Sequence, residues 1–122
     1  MAYLASKVKA YLISKGKTEV EVKELLGSQT SIILEADSSG ESIKAWDVTG
    51  ITKPTDSELT AANTEAEKLE ELHKIRKKRR VEYPSLKEQL DLLYKDLVAG
   101  KVDATGEWAK VVKKVKDDNP KP

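Results

Sequence analysis

The chain of 122 residues has no cysteine, no phenylalanine and a single histidine. Without thiols there are no disulfides and no thiolate metal sites. His73 stands beside Lys74 with no second His or Cys to complete a metal site or a catalytic relay. It reads as surface or seam packing. No apolar run approaches the ~20 residues of a membrane-spanning helix, and the first residues lack the apolar core of a signal peptide. A soluble, unprocessed protein made in the cytoplasm is expected, with no membrane partner. Phosphate-binding glycine loops, dinucleotide fingerprints and Gly-x-Ser-x-Gly elbows are missing too. No residue therefore presents itself for catalysis or a cofactor, and a non-enzymatic role is expected.

What is present is charge. Charged residues make up 35% of the chain and apolar residues 39%, with six aromatics in all, so the core is thin and burial against a partner is expected. The net charge of +1 provides no overall attraction for nucleic acid or membrane.

Residues 2–14 read as an amphipathic helix, with Leu4, Val8, Tyr11 and Leu12 on one face and Gly16 as its stop. Residues 18–26 alternate like a strand through Val20 and Val22 but place Val22, Leu25 and Leu26 on a helical turn; a short helix ending at Gly27 is preferred. Ser31–Asp37 and Glu41–Val48 are β-branched and apolar around the turn cluster Asp37-Ser38-Ser39-Gly40, which predicts a β-hairpin. That cluster is too short for a calcium loop. A lone hairpin is marginal in water and must pack on a helix or on another chain.

Thr55 with Glu58 after Pro54 forms a capping box and opens a long helix over 56–81. Ala62, Ala66, Leu69, Leu72 and Ile75 make a narrow seam on it, suited to a coiled coil or to one neighbour. Its charge is segregated. Asp56–Glu71 holds six acids and one lysine, whereas Leu72–Arg80 holds six bases and no acid, an order that suits the helix dipole. The carboxylates Glu65, Glu67, Glu70 and Glu71 read as a solvated face. The run from Lys74 to Arg80 could contact phosphates. Its cations spread around the whole helix, however, no aromatic interleaves them, and the acidic half adjoins them. These features argue against nucleic acid and for a solvated or partner-facing helix end, with Arg79 and Arg80 as interaction candidates.

Pro84 ends this helix and pushes Tyr83 out of the helical region. Ser85 with Glu88 is a further capping box, opening a helix over 85–99 that Gly100 stops. Leu86, Leu90, Leu93, Tyr94 and Leu97 recur on it at helical spacing. A last helix over 106–117 is expected, with Thr105 as cap and Trp108, Val111, Val112 and Val115 as its apolar face; Asn119–Pro122 reads as an extended tail. The fold class is therefore α+β: an N-terminal helix plus β-hairpin, one long helix and a C-terminal helical hairpin. Residues 1–54 form a small α/β-hairpin region and residues 55–122 a helical region.

Arg79-Arg80-Val81-Glu82-Tyr83-Pro84-Ser85, then Gln89-Leu90-Asp91 in an apolar helix, then Trp108 and the closing Pro120-Lys121-Pro122 resemble the ending of small virion or tail-region proteins of tailed bacteriophages. Gly40–Val48 with its Trp46-Asp47 ending, followed by Pro54-Thr55-Asp56-Ser57-Glu58-Leu59, is similar to XkdW-like prophage tail proteins and to parts of tail fibre assembly proteins. The two segments cover about half of the chain. The resemblance implies a structural or assembly role at the tail, fibre or baseplate, in a virion whose proteins are synthesised in the host cytoplasm. It carries over no catalytic residue. The implied partners are other phage virion proteins or further copies of the chain, met through Ala62, Ala66, Leu69, Leu72, Ile75, Arg79, Arg80, Tyr83, Leu90, Tyr94 and Trp108. The alternatives are an assembly chaperone for a tail or fibre protein, and a nucleic-acid-binding module working through residues 74–80.

Overall fold

The computed structural model describes residues 1–122 as an α+β protein of six helices and one two-stranded antiparallel sheet. The elements are α1 (Leu4–Ser14), α2 (Glu19–Gly27), β1 (Ile32–Asp37), β2 (Gly40–Trp46), α3 (Asp56–Ala61), α4 (Asn63–Glu82), α5 (Leu86–Ala99) and α6 (Glu107–Asp118). The chain divides into two compact units, Met1–Glu70 and Glu71–Pro122, the division falling within α4.

In the first unit α1 packs on α2 and α3, and α2 packs on β1. Val8, Leu12, Val22 and Ile32 form its buried core, flanked by Leu25, Leu34, Ile43, Trp46 and Leu59 among others. The short segment after Lys17 is indeed a helix. The Thr18 hydroxyl accepts from the Glu21 N–H while the Glu21 carboxylate accepts from the Thr18 N–H, a complete capping box. Hydrogen bonding of the Glu21 carboxyl to Thr18, to its backbone N–H foremost and then to its side chain, holds it below its ordinary pKa.

The hairpin pairs Ile32 with Trp46, Ile33 with Ala45 and Leu34 with Ile43. Lys44 is thus left over as a bulge. In a regular strand Ile43 and Trp46, three apart, would point to opposite faces. The extra residue brings both onto the core side, opposite Leu34 and Ile32. At the turn the Asp37 carboxylate accepts from the Ser39 hydroxyl and N–H, and Gly40 takes a φ of 121° that disfavours any side chain. Tyr11 meets Trp46 edge-on at 6.1 Å; the Tyr11 hydroxyl donates to the Thr52 carbonyl and the Trp46 indole to that of Ile51. These bonds fasten the loop after β2 to the core.

The single long helix expected over 56–81 is interrupted. Thr55 caps α3 by accepting from the Glu58 N–H, but Ala62 has ψ −7° and separates α3 from α4. At this point α1 comes close. Ala2, Ala10 and Ala66 are buried together with Ala62 and Leu69 packed on them, and the Asn63 side chain accepts from the Ala2 N–H at 3.0 Å. Small residues on both helices permit that approach.

Candidate interaction surface

In the second unit α4 ends at Glu82, its last bond running from the Tyr83 N–H to the Arg79 carbonyl. Pro84 then prevents continuation. Ser85 starts α5 by accepting from the Glu88 N–H at 3.2 Å, without the reciprocal bond of a full capping box. Gly100 closes α5 in the left-handed region at φ 70°, with its N–H and that of Lys101 returning to the carbonyls of Leu97 and Asp96.

α6 begins without a cap of its own. The expected cap, Thr105, turns its hydroxyl and N–H to the Asp103 carboxylate instead, and this lowers the Asp103 pKa, the hydroxyl bond foremost. The N-terminal N–H groups of α6 are taken by Asp96 of α5. Its carboxylate accepts from Glu107 at 3.0 Å and from Trp108 at 2.9 Å while only 5% exposed. Gly106 makes the approach feasible: a Cβ there would lie 2.4 Å from the Lys101 carbonyl oxygen and 2.6 Å from Asp96 Oδ2. Gln89 completes the inner face. It donates to the Pro84 carbonyl and accepts from the Trp108 indole at 3.3 Å. At the other end of α6, Arg79 donates to the carbonyls of Lys116 and Asn119, and buried Asn119 donates to the Val115 carbonyl and the Glu82 carboxylate. Asn119 is thus a fastened cap and not part of an extended tail.

These bonds fix which side of α5 faces α6: Gln89, Leu92, Leu93 and Asp96 turn inward. The adjoining arc carries Leu86, Leu90, Tyr94 and Leu97, which are 73%, 56%, 65% and 55% exposed. Val98, also exposed, lies beside this arc on α5. Scattered exposed apolar residues are ordinary, but a continuous helical stripe of leucines and a tyrosine is the form that a docking surface takes.

The residues expected to meet partners are therefore redistributed. Ala62, Ala66 and Leu69 are closed within the first unit, Ala66 fully, and offer no free seam. Leu72 and Ile75 are half-buried on α4. Arg79 is engaged at the end of α6, and Trp108 and Tyr83 are half-buried. Arg80 is exposed. Leu90 and Tyr94 lie on the open stripe, joined there by Leu86, Leu97 and Val98, which the sequence marks as apolar at the right spacing without showing what covers them.

An open concavity of about 430 Å³ is lined by residues such as Tyr3, Leu4, Lys7, Glu41 and Asp56, and no three His, Cys, Asp or Glu side chains converge as a metal site would require. No helix is long and apolar enough to cross a membrane. Lys74 pairs with Glu71 at 4.0 Å, and Lys74, Lys77 and Lys78 border a shallow depression with Val81 and Glu82. Comparison with protein-family models, curated proteins and solved structures finds no match to this chain.

Proposed function

We propose that the chain is a non-enzymatic docking protein of a tailed-phage virion, acting in the tail, fibre or baseplate region. The observation that carries the docking role is the open apolar stripe of α5, left outside by a hairpin whose two helices are joined through Asp96, Gln89 and Trp108. The phage assignment rests on the Tyr83-Pro84 and Gln89-Leu90-Asp91 pattern, which falls on that same structure: Pro84 sets where α5 begins, Gln89 locks α5 to α6, and Leu90 lies on the stripe. Burying such a stripe at roughly 25 cal/mol per Å² favours association.

Mass spectrometry of purified particles tests the reading. The chain is expected in the particle at a fixed copy number, and Leu90→Asp with Tyr94→Asp should remove it while leaving the helices intact by circular dichroism. A chain needed for tail formation yet missing from finished particles would replace this reading with that of an assembly chaperone. Full incorporation of the doubly substituted chain would refute docking through α5.

A further inference from the structure

We infer that the stripe on α5 is closed by a second copy of the chain, two α5 helices packing antiparallel about a twofold axis near Leu93 and Tyr94. This rests on the reading of the stripe as a docking face and names its occupant.

Two features of the stripe favour a copy of itself. The first is register. At 100° per residue Leu86, Leu97, Leu90 and Tyr94 span an arc of about 80°. With the axis between Leu93 and Tyr94, Leu90 lies over the partner's Leu97 and Tyr94 comes within one residue of the partner's Tyr94. Val98 comes within one residue of the partner's Leu90.

The same register settles the charges along the edge of the stripe. Lys87, Asp91 and Lys95 follow one another at four-residue spacing. Asp91 and Lys95 are paired within the helix at 3.0 Å. The antiparallel register brings Asp91 beside the partner's Lys95 and Lys95 beside the partner's Asp91, so two pairs become one four-charge cluster. A parallel pairing would place the two copies of this charged edge on opposite sides of the pair, where they could not complement each other. An antiparallel pairing centred on Asp91 would set Asp91 on Asp91 and Lys87 on Lys95. The remaining complementary choice, Lys87 against Asp91, leaves Tyr94 and Leu97 without apolar partners.

The second feature is area. From their exposed fractions, Leu86, Leu90, Tyr94, Leu97 and Val98 present on the order of 500–600 Å² per copy, approaching the ~600 Å² per partner at the lower end of stable interfaces. A twofold contact uses the same patch on both copies, as this stripe permits.

Sedimentation of the full chain over a hundredfold concentration range tests the inference. The expected result is a species of twice the 13.5 kDa chain mass that Leu90→Glu converts to monomer. Charge variants test the pairing: Asp91→Lys alone and Lys95→Asp alone should each dissociate at least tenfold more readily, whereas mixing the two chains should restore the dimer as a heterodimer. Because the chain has no cysteine, single-cysteine variants report the register directly. Tyr94→Cys should cross-link to itself under mild oxidation and Lys87→Cys should not. A monomer at all concentrations, a dimer indifferent to Leu90→Glu, or cross-linking through position 87 and not 94 would overturn the inference. A monomer whose Leu90→Asp, Tyr94→Asp form is still lost from particles would overturn the dimer while leaving the docking role in place; a monomer whose substituted form is incorporated would remove both.

Discussion

Asp96 joins α5, which carries the exposed apolar stripe, to α6, and its removal should unfasten them. Its carboxylate accepts from the N–H groups of Glu107 and Trp108, which the first turn of α6 cannot satisfy by itself. Loss of an N-terminal cap costs about 1 kcal/mol, and up to ~2 in tight sites. The negative charge at the positive end of the helix adds about 0.3–1 kcal/mol. Asp96 is almost fully buried, so Asp96→Ala also leaves two partly buried donors for water to reach. Together these give about 2–3 kcal/mol for Asp96→Ala. Asp96→Asn keeps one acceptor and loses the charge, which gives about 1–1.5 kcal/mol. Gly106→Ala attacks the same joint from the other side, because its Cβ has no room beside the Lys101 carbonyl and Asp96; about 1–3 kcal/mol is expected. The two should be non-additive, since once the joint is open the second change has less to break. Urea denaturation followed through Trp108, with hydrogen exchange of the Glu107 and Trp108 amides, measures both effects. Unchanged protection of those two amides in Asp96→Ala, with a stability loss under 0.5 kcal/mol, would refute the reasoning.

Thr18→Ala should cost about 1 kcal/mol of helix stability, and NMR titration should find the Glu21 pKa returning upward from its lowered value as the Thr18 bonds weaken. Asp37 and Asp103 are also lowered, by bonds from Ser39 and Thr105, the hydroxyl bond first in each case. Their contribution is complete above the ordinary carboxylate pKa and is lost as pH falls through the lower folded value, so both turns should loosen in acid; a pKa at the ordinary 3.8 for either would contradict this. Ala66→Leu, at a fully buried site between helices, should destabilise the first unit by about 1–3 kcal/mol in thermal unfolding. Arg79→Met removes the donors at the end of α6 and should cost about 1–2 kcal/mol. For the basic run, gel retardation should show no tight DNA binding at ~150 mM salt; binding with a steep salt slope would promote the nucleic-acid alternative.

The elements whose starts are encoded locally were legible. Thr55 and Ser85 each announce a helix, Gly100 announces a stop, and Asp37–Gly40 announces a turn; all four act as their chemistry requires. Thr18 with Glu21 has the same spacing as Thr55 with Glu58 and could have settled the ambiguous segment outright. By contrast, α1 and α6 have no cap in their own sequence. Asn63 takes the N–H of Ala2, Glu70 that of Tyr3 and Glu41 that of Leu4, while Asp96 takes those of Glu107 and Trp108. A carboxylate 37 or 67 residues away leaves no mark in a local pattern. The same holds for the Lys44 bulge, which exists because Ile43 and Trp46 must share a face.

The stripe on α5 was hidden for another reason. Periodicity locates an apolar face but does not tell which element covers it. On α5 the apolar residues span more than half of the circumference, so two faces compete for α6. The polar residues decide between them. Gln89 and Asp96, seven apart and on one side, have partners only if that side faces Trp108 and the start of α6. Leaving either buried without its bonds would cost about 1–3 kcal/mol, and more for the charged Asp96, so exchanging the faces to bury Leu90 and Tyr94 would forfeit what the polar pair contributes. The hairpin is therefore locked by hydrogen bonds, and its richest apolar surface stays outside. The bonds of Gln89 and Asp96 set the shape of the hairpin, and Leu86, Leu90 and Leu97 stay exposed to solvent.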